Sequence, residues 1–167
     1  MSPAELRASL RVLLAIAQVD GDVDADERRL LAGVAEQMDA PLGGDERVDL
    51  DAALAEITSP EGKQVTFRAA VAMASVDGHC SASEHALLLK VRDALAPEDE
   101  LPLEAVEKHW STRMRKTRTQ IERASDAFLD EVASNKASLT KEQYEKMVLD
   151  LDRKKTELLK SAVDDEA

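Results

Sequence analysis

Between residues 19 and 27 the chain reads VDGDVDADE, and at 76–84, an offset of 57 positions, it reads VDGHCSASE. Over the wider stretches 13–31 and 70–88 the two copies share nine of nineteen residues. Such a repeat restricts the fold, because each copy must satisfy the same local chemistry. An apolar run ends at Asp-Gly, where Gly reaches the left-handed backbone region without a Cβ penalty. Asp24 and Ser81 then stand three residues before Glu27 and Glu84. That is capping-box spacing, in which the cap side chain and the acid satisfy backbone donors that a helix start leaves unpaired. Leu30 and Leu31, like Leu87 and Leu88, fall on the inner face of the restarted helix. Each copy therefore predicts a helix, a corner and a second helix.

The corner residues left over by this folding role are Asp20, Asp22, Asp26, Asp77, His79 and Cys80. Five of the eight residues from Asp20 to Glu27 are acidic, so folding crowds carboxylates unless they spread into solvent or a cation bridges them. Hard cations such as Ca²⁺ and Mg²⁺ take oxygen ligands of this kind. The stretch has the second half of an EF-hand loop, an Asp-Gly, an apolar residue two places on and a Glu six places after the Gly. Ile16 and Gln18, however, stand where the first two oxygen ligands of that loop belong. Capping on a solvated acidic surface is the plain alternative. The second corner, with His79, Cys80 and His85, offers nitrogen and sulfur donors that suit Zn²⁺ better. Its spacing matches no standard zinc pattern, and a Cys in the apolar place of the repeat is also a packing residue.

The doubled unit, an apolar helix, Ala-x-x-Asp-Gly, five residues, Glu and a second apolar helix, covers Ala17–Glu27 and Ala74–Glu84. It resembles the TerB-like domain of bacteria, a family named for a tellurite-resistance protein and found also in the N-terminal part of the DjlA co-chaperones. The resemblance spans about residues 4–96. It implies an all-helical bundle, a cytoplasmic, stress-linked or regulatory role, no enzyme activity, and a cation site at Asp20, Asp22, Asp24 and Glu27 and at Asp77 and Glu84. With Asp26 from the acid count, these are the candidate metal ligands, for Ca²⁺ or Mg²⁺ rather than Zn²⁺. His79 and Ser81 replace the first unit's Asp22 and Asp24, which weakens the expectation of two equal sites.

Composition agrees with a helical fold. Apolar residues make up 44% of the 167, yet there are one Trp, one Tyr and two Phe, so the core must be built from Ala, Leu and Val in closely packed helices. No β-branched alternation of any length appears. Helices are expected from Ser2-Pro3, from Ala25 to Met38, from Glu46 to Ile57, from Val65 to Val76, and on to Leu95 before Pro97, with a loop over 39–45. The formal net charge is −12, of which residues 1–100 carry −11 and residues 101–167 carry −1. An acidic domain of this kind argues against nucleic acid as its partner. No apolar run approaches the length of a membrane span and no signal peptide is evident, while a single Cys excludes an internal disulfide; together these predict the cytoplasm.

Beyond residue 100 the pattern changes. Apolar places from Leu103 through Trp110 and Ile121 to Val132 recur at the helical period, predicting one long helix. Thr140-Lys-Glu-Gln143 is another capping box, opening a last helix with Tyr144, Leu151 and Leu158 on one stripe. The two are expected to form an antiparallel hairpin, with 101–114 completing the bundle of residues 1–100 and the remainder of 101–167 an appendage. Basic residues His109, Arg113, Arg115, Lys116, Arg118 and Arg123 form a patch open to two readings: a contact for anions, or a solvated face paired with neighbouring acids. Trp110 is read either as a core anchor or as an exposed contact. The interface candidates are Trp110, Arg113, Arg115, Arg118, Phe128, Tyr144 and Leu151.

No nucleophile elbow, phosphate-cradling Gly loop, His-Glu-x-x-His or paired Cys occurs. The chain thus reads as an all-α bundle of about five helices plus a long helix and a C-terminal hairpin. It is expected to be a non-enzymatic binding or regulatory module whose partner is another protein or a second copy. The alternative is a purely structural or assembly protein without ligand, using 103–132 and 140–163 as its interface.

Overall fold

The computed structural model describes residues 1–21, 23–37, 48–96, 102–136 and 138–164. Among these it is all-helical: α1 Pro3–Ala17, α2 Ala25–Gln37, α3 Leu50–Ala55, α4 Pro60–Met73, α5 Ala82–Leu95, α6 Leu103–Asn135 and α7 Lys141–Asp164. The expected 39–45 loop, the start of the third helix at Glu46 and the Pro97 stop lie outside the described residues. The fourth helix begins at Pro60 rather than Val65. Ser59 accepts a hydrogen bond from the Gly62 amide and Pro60 occupies the first helical position, so the helix starts where its cap is, and Val65 faces solvent one turn in.

α1 is the centre of the bundle, in contact with α2, α3, α4 and α5. Its start is fastened by a side chain with two tasks. Ser2 and Glu5 form the expected capping box, and the same Glu5 carboxylate also accepts the amide N–H groups of Thr58 (3.1 Å) and Ser59 (2.7 Å) at the entry to α4. Backbone donors at Ser2 and Ser59 hold this carboxyl well below the usual carboxylate range, although only 6% of its surface is exposed. One turn on, Ser9 donates to the Glu5 carbonyl and its hydroxyl lies 2.6 Å from that of Thr66 on α4. Ser9 and Thr66 are separated by the repeat offset of 57, so the first helices of the two units meet at equivalent positions.

The core is continuous from α1 to α7 and made mostly of Ala, Leu and Val, with Phe67, Met73, Trp110 and Met114 as its large members. α6 contributes Leu103, Val106, Trp110, Met114, Thr117 and Ile121, a stripe that ends about halfway along the helix. α7 runs antiparallel to α6. Phe128 meets Tyr144 near the turn, and Arg113 reaches the Ser161 carbonyl at the other end. The far end of the hairpin is solvated, but the appendage expected from sequence is only partly separate. Leu159 and Ala162 join the core, and Lys160–Glu36 (2.6 Å) and Arg29–Asp152 (2.9 Å) tie α7 to α2. The hairpin base thus belongs to the bundle. No helix among the described residues is long and apolar enough to cross a membrane.

This division has a measurable consequence. Leu159→Ala should cost about 2–5 kcal/mol of unfolding free energy, whereas Leu149→Ala, at a side chain 71% exposed on the same helix, should stay within about 0.5 kcal/mol of wild type in urea denaturation.

Candidate functional site

The two corners lie together. At the first, Val19 and Gly21 close turns onto Ile16 and Gln18 after α1 ends, and Gly21 takes φ 130°; Gly78 takes φ 97° at the second. Both are in the region that favours glycine. At Gly78 a Cβ would also meet the Arg115 side chain at 2.6 Å. Both capping boxes are present. Asp24 accepts from the Glu27 amide at 2.8 Å while Glu27 accepts from the Asp24 amide at 2.7 Å. Ser81 and Glu84 exchange the equivalent pair at 3.2 and 2.7 Å.

The residues left over by capping have partners of their own. Asp20 crosses between corners: its carboxylate accepts hydrogen bonds from Ser81 (2.6 Å) and Ser83. These two hydroxyls lower its pKa. Asp26 pairs with Arg29 at 2.9 Å, and Arg29 continues to Asp152 of α7. Asp77 accepts from the His79 amide and ring, at 3.0 and 2.8 Å. Asp22 lies outside the described residues.

What the crossing of Asp20 brings together is a pair of half-buried glutamates. Burial pushes Glu27 up to about 7, with the charges of Asp24, Glu84 and Asp77 adding to it. Burial also raises Glu84, helped by Asp20 and Asp77. Each capping glutamate therefore feels acids of the other corner, Glu27 those of Glu84 and Asp77 and Glu84 that of Asp20. Among the described residues, no three His, Cys, Asp or Glu side chains are already disposed to hold a metal ion.

Cys80 and His85 of the second corner turn instead toward α6. The Cys80 thiol donates to Glu107 of α6 at 3.5 Å, and His85 Nδ1 lies 2.7 Å from the same carboxylate oxygen. Burial and the nearby acids keep the thiol protonated well above its ordinary range, which removes its nucleophilic form. Half-buried Cys80 packs against the core, in keeping with the apolar place it holds in the repeat. Glu107 escaped sequence reasoning, because it lies far along the chain in an ordinary helical pattern.

Of the interface candidates, Trp110 is a core anchor, 3% exposed, with the Arg113 guanidinium 5.5 Å from its ring centroid. Arg118 donates to the Asp77 carbonyl at 3.0 Å, while the stem of Arg115 passes Gly78 and its guanidinium bonds back to Ser111 and Thr112 of α6. Phe128 and Leu151 are half-buried along the hairpin, and Tyr144 is exposed. No family model, curated protein or solved structure matches the chain.

The glutamate pair fixes the sign of a pH effect. Carboxyls raised on folding make the native state bind more protons, so their contribution to stability falls as pH rises from the unfolded carboxylate value and is lost above about 7 for Glu27. Glu27→Gln keeps an oxygen acceptor for the Asp24 amide and removes the charge. The urea midpoint should fall less between pH 5 and pH 8 in this variant than in wild type. Equal falls in the two proteins would contradict the assignment.

Proposed function

We propose that this chain is a non-catalytic helical binding module whose joined acidic corners respond to a divalent cation, Ca²⁺ or Mg²⁺ in preference to Zn²⁺. The observation that carries the reading is that Asp20 joins the two corners through Ser81 and Ser83, which sets two half-buried glutamates, Glu27 and Glu84, among the acids of both. Burial raises the cost of ionising both; the charges of Asp24, Glu84 and Asp77 add to it at Glu27, and those of Asp20 and Asp77 at Glu84. A cation near these oxygens takes over the role that a proton plays at low pH, and hard cations favour all-oxygen surroundings. Asp20, Asp24, Asp77 and the neighbouring Asp22 are the further candidate ligands. Asp26 is committed to Arg29 and supports the corner from outside. The resemblance to TerB-like domains points the same way, toward a cytoplasmic regulatory role linked to stress.

Metal-stripped protein should gain thermal stability with Ca²⁺ or Mg²⁺. At about 100 times the dissociation constant the gain is about 2.7 kcal/mol, worth several degrees in Tm. Because cation and proton compete, the shift should be larger at pH 7.5 than at pH 5.5. In the Glu27→Gln/Glu84→Gln double variant, which retains both capping boxes, the shift should vanish. An unchanged Tm with every ion at both pH values would leave the corners as caps alone.

One observation favours the assembly reading as a second function. Leu129 and Leu149 are 60% and 71% exposed, and Tyr144 and Val148 add to the apolar surface of the hairpin's outer half. If this half joins two copies, Leu129→Glu/Leu149→Glu should convert a dimer to a monomer in light scattering while the circular dichroism spectrum stays that of the folded helical protein. A wild-type monomer at high concentration would rule that out.

A further inference from the structure

Leu129, Val148 and Leu149 are 60%, 40% and 71% exposed, and helical geometry puts all three on the side of the hairpin that faces the acidic corners. On α6, residues 118, 122, 125 and 129 follow at spacings of four, three and four, and so share a face. Arg118 uses that face to donate to the Asp77 carbonyl, which leaves Leu129 three turns further out. On α7, Val148 and Leu149 lie one turn outward from Asp152, on the side that Asp152 turns to Arg29 of α2. The pairs Arg29–Asp152 and Glu36–Lys160 show that α2 and α7 run in the same direction. Residue 148 therefore falls level with Ala25, where α2 begins. The contact of Phe128 with Tyr144 sets Leu129 about one turn from Val148 along the hairpin. The hairpin thus overhangs the first corner, and the underside of the overhang is apolar.

Charge around this overhang has one sign. Residues 122–150 hold four Lys or Arg against seven Asp or Glu, in a chain of net charge −12. On the two faces concerned, Arg118 is held by the Asp77 carbonyl and Glu122, and Lys141 by Glu145. Asp126 precedes Leu129 by three residues and Glu142 precedes Leu149 by seven. Neither forms an ion pair among the described residues. Outside the described residues the only Lys or Arg is Arg47, so those residues bring no cluster of cations.

We propose that the overhang docks a basic amphipathic helix of a partner protein. Its apolar stripe lies on Leu129, Val148 and Leu149, and its cations turn toward Asp126, Glu142 and the first corner. The apolar side chains set the footprint and the charge selects the occupant. Nucleic acid and anionic bilayers bring phosphates to an acidic surface. A second copy, the occupant in the assembly reading, brings the same excess of acids over residues 122–150, and like charges oppose that pairing. A basic helix gains on both counts, by the helix-in-groove mode of recognition. This surface does not include the half-buried glutamates and does not rest on the cation reading.

The test uses the full chain in EDTA, which removes any contribution of a bound cation. The probe is a fluorescein-labelled 18-residue helical peptide with Leu on one stripe and Lys along its flanks. Anisotropy should show saturable binding at 50 mM salt that weakens severalfold at 300 mM. The same peptide with Glu in place of Lys should bind at least about tenfold more weakly. Leu129→Ser/Leu149→Ser should lower the affinity at least about tenfold. Asp126→Asn/Glu142→Gln should lower it severalfold and flatten the salt dependence. Val65→Ser, at an apolar side chain 41% exposed on α4, and Asp93→Asn/Glu104→Gln should each change it less than about twofold. Circular dichroism melts establish that the variants fold, and Leu149→Ser alone replaces the leucine pair if that pair does not. Failure of the Lys peptide to bind, equal binding of the Glu peptide, undiminished binding to the leucine variant, or equal loss in the control variants would each overturn the proposal. So would light scattering showing a wild-type dimer, joined through Leu129 and Leu149, that the peptide does not dissociate.

Discussion

A single buried carboxylate sets the geometry on which the rest of the molecule is built. Glu5 serves the start of its own helix and, through Thr58 and Ser59, the start of α4. A carboxylate that accepts several backbone donors is stabilised in its charged form, and replacing it leaves buried N–H groups without acceptors. The bond therefore holds two helix origins in register, and the hydroxyl pair Ser9–Thr66 repeats the attachment one turn further in. From there both helices run in contact toward their Asp-Gly ends, so the two corners arrive side by side. The acidic centre follows from an anchor at the opposite end of the helices.

Crowding at that centre is moderated but not abolished. Asp20 is dispersed by two serine hydroxyls, Asp26 by Arg29, and Asp77 by His79. Glu27 and Glu84 remain half-buried because capping holds them there: each is the acid of its own box and cannot swing into solvent without exposing an amide of the helix start. Helix capping and charge crowding thus compete at the same two side chains. The second corner differs in having Cys80 and His85 drawn to Glu107, which couples it to α6 and gives the two copies unlike surroundings.

Much of this was legible in the sequence, and the limits have a physical origin. The caps at Ser2, Asp24, Ser81 and Thr140 are local, with donor and acceptor within three residues, and so the helix starts could be read directly. The 3.6-residue period of α6 identified its buried stripe from Leu103 to Ile121, although not where the stripe would stop being covered. Long-range partners left no local signal. Glu5 looked like an ordinary capping acid, Asp26 looked spare, and nothing in α7 announced that Asp152 and Lys160 would reach α2. The all-α class was evident from periodicity, while the meeting of the corners depends on how α1 and α4 pair. That is a property of the assembled bundle.

The long helix finally makes the molecule something other than a bundle with a decoration. α6 has 33 residues, about 50 Å of continuous rod, and its inner half is embedded among the side chains that hold the fold. Its return partner α7 is pinned to α2 by Arg29, whose other hand grips Asp26 at the first corner. The outer half of α6 therefore stands on the same continuous helix as the side chains that close the core. Whatever meets the tip is thereby joined by unbroken backbone to Trp110 and Met114, and through Asp152 and Arg29 to the first acidic corner.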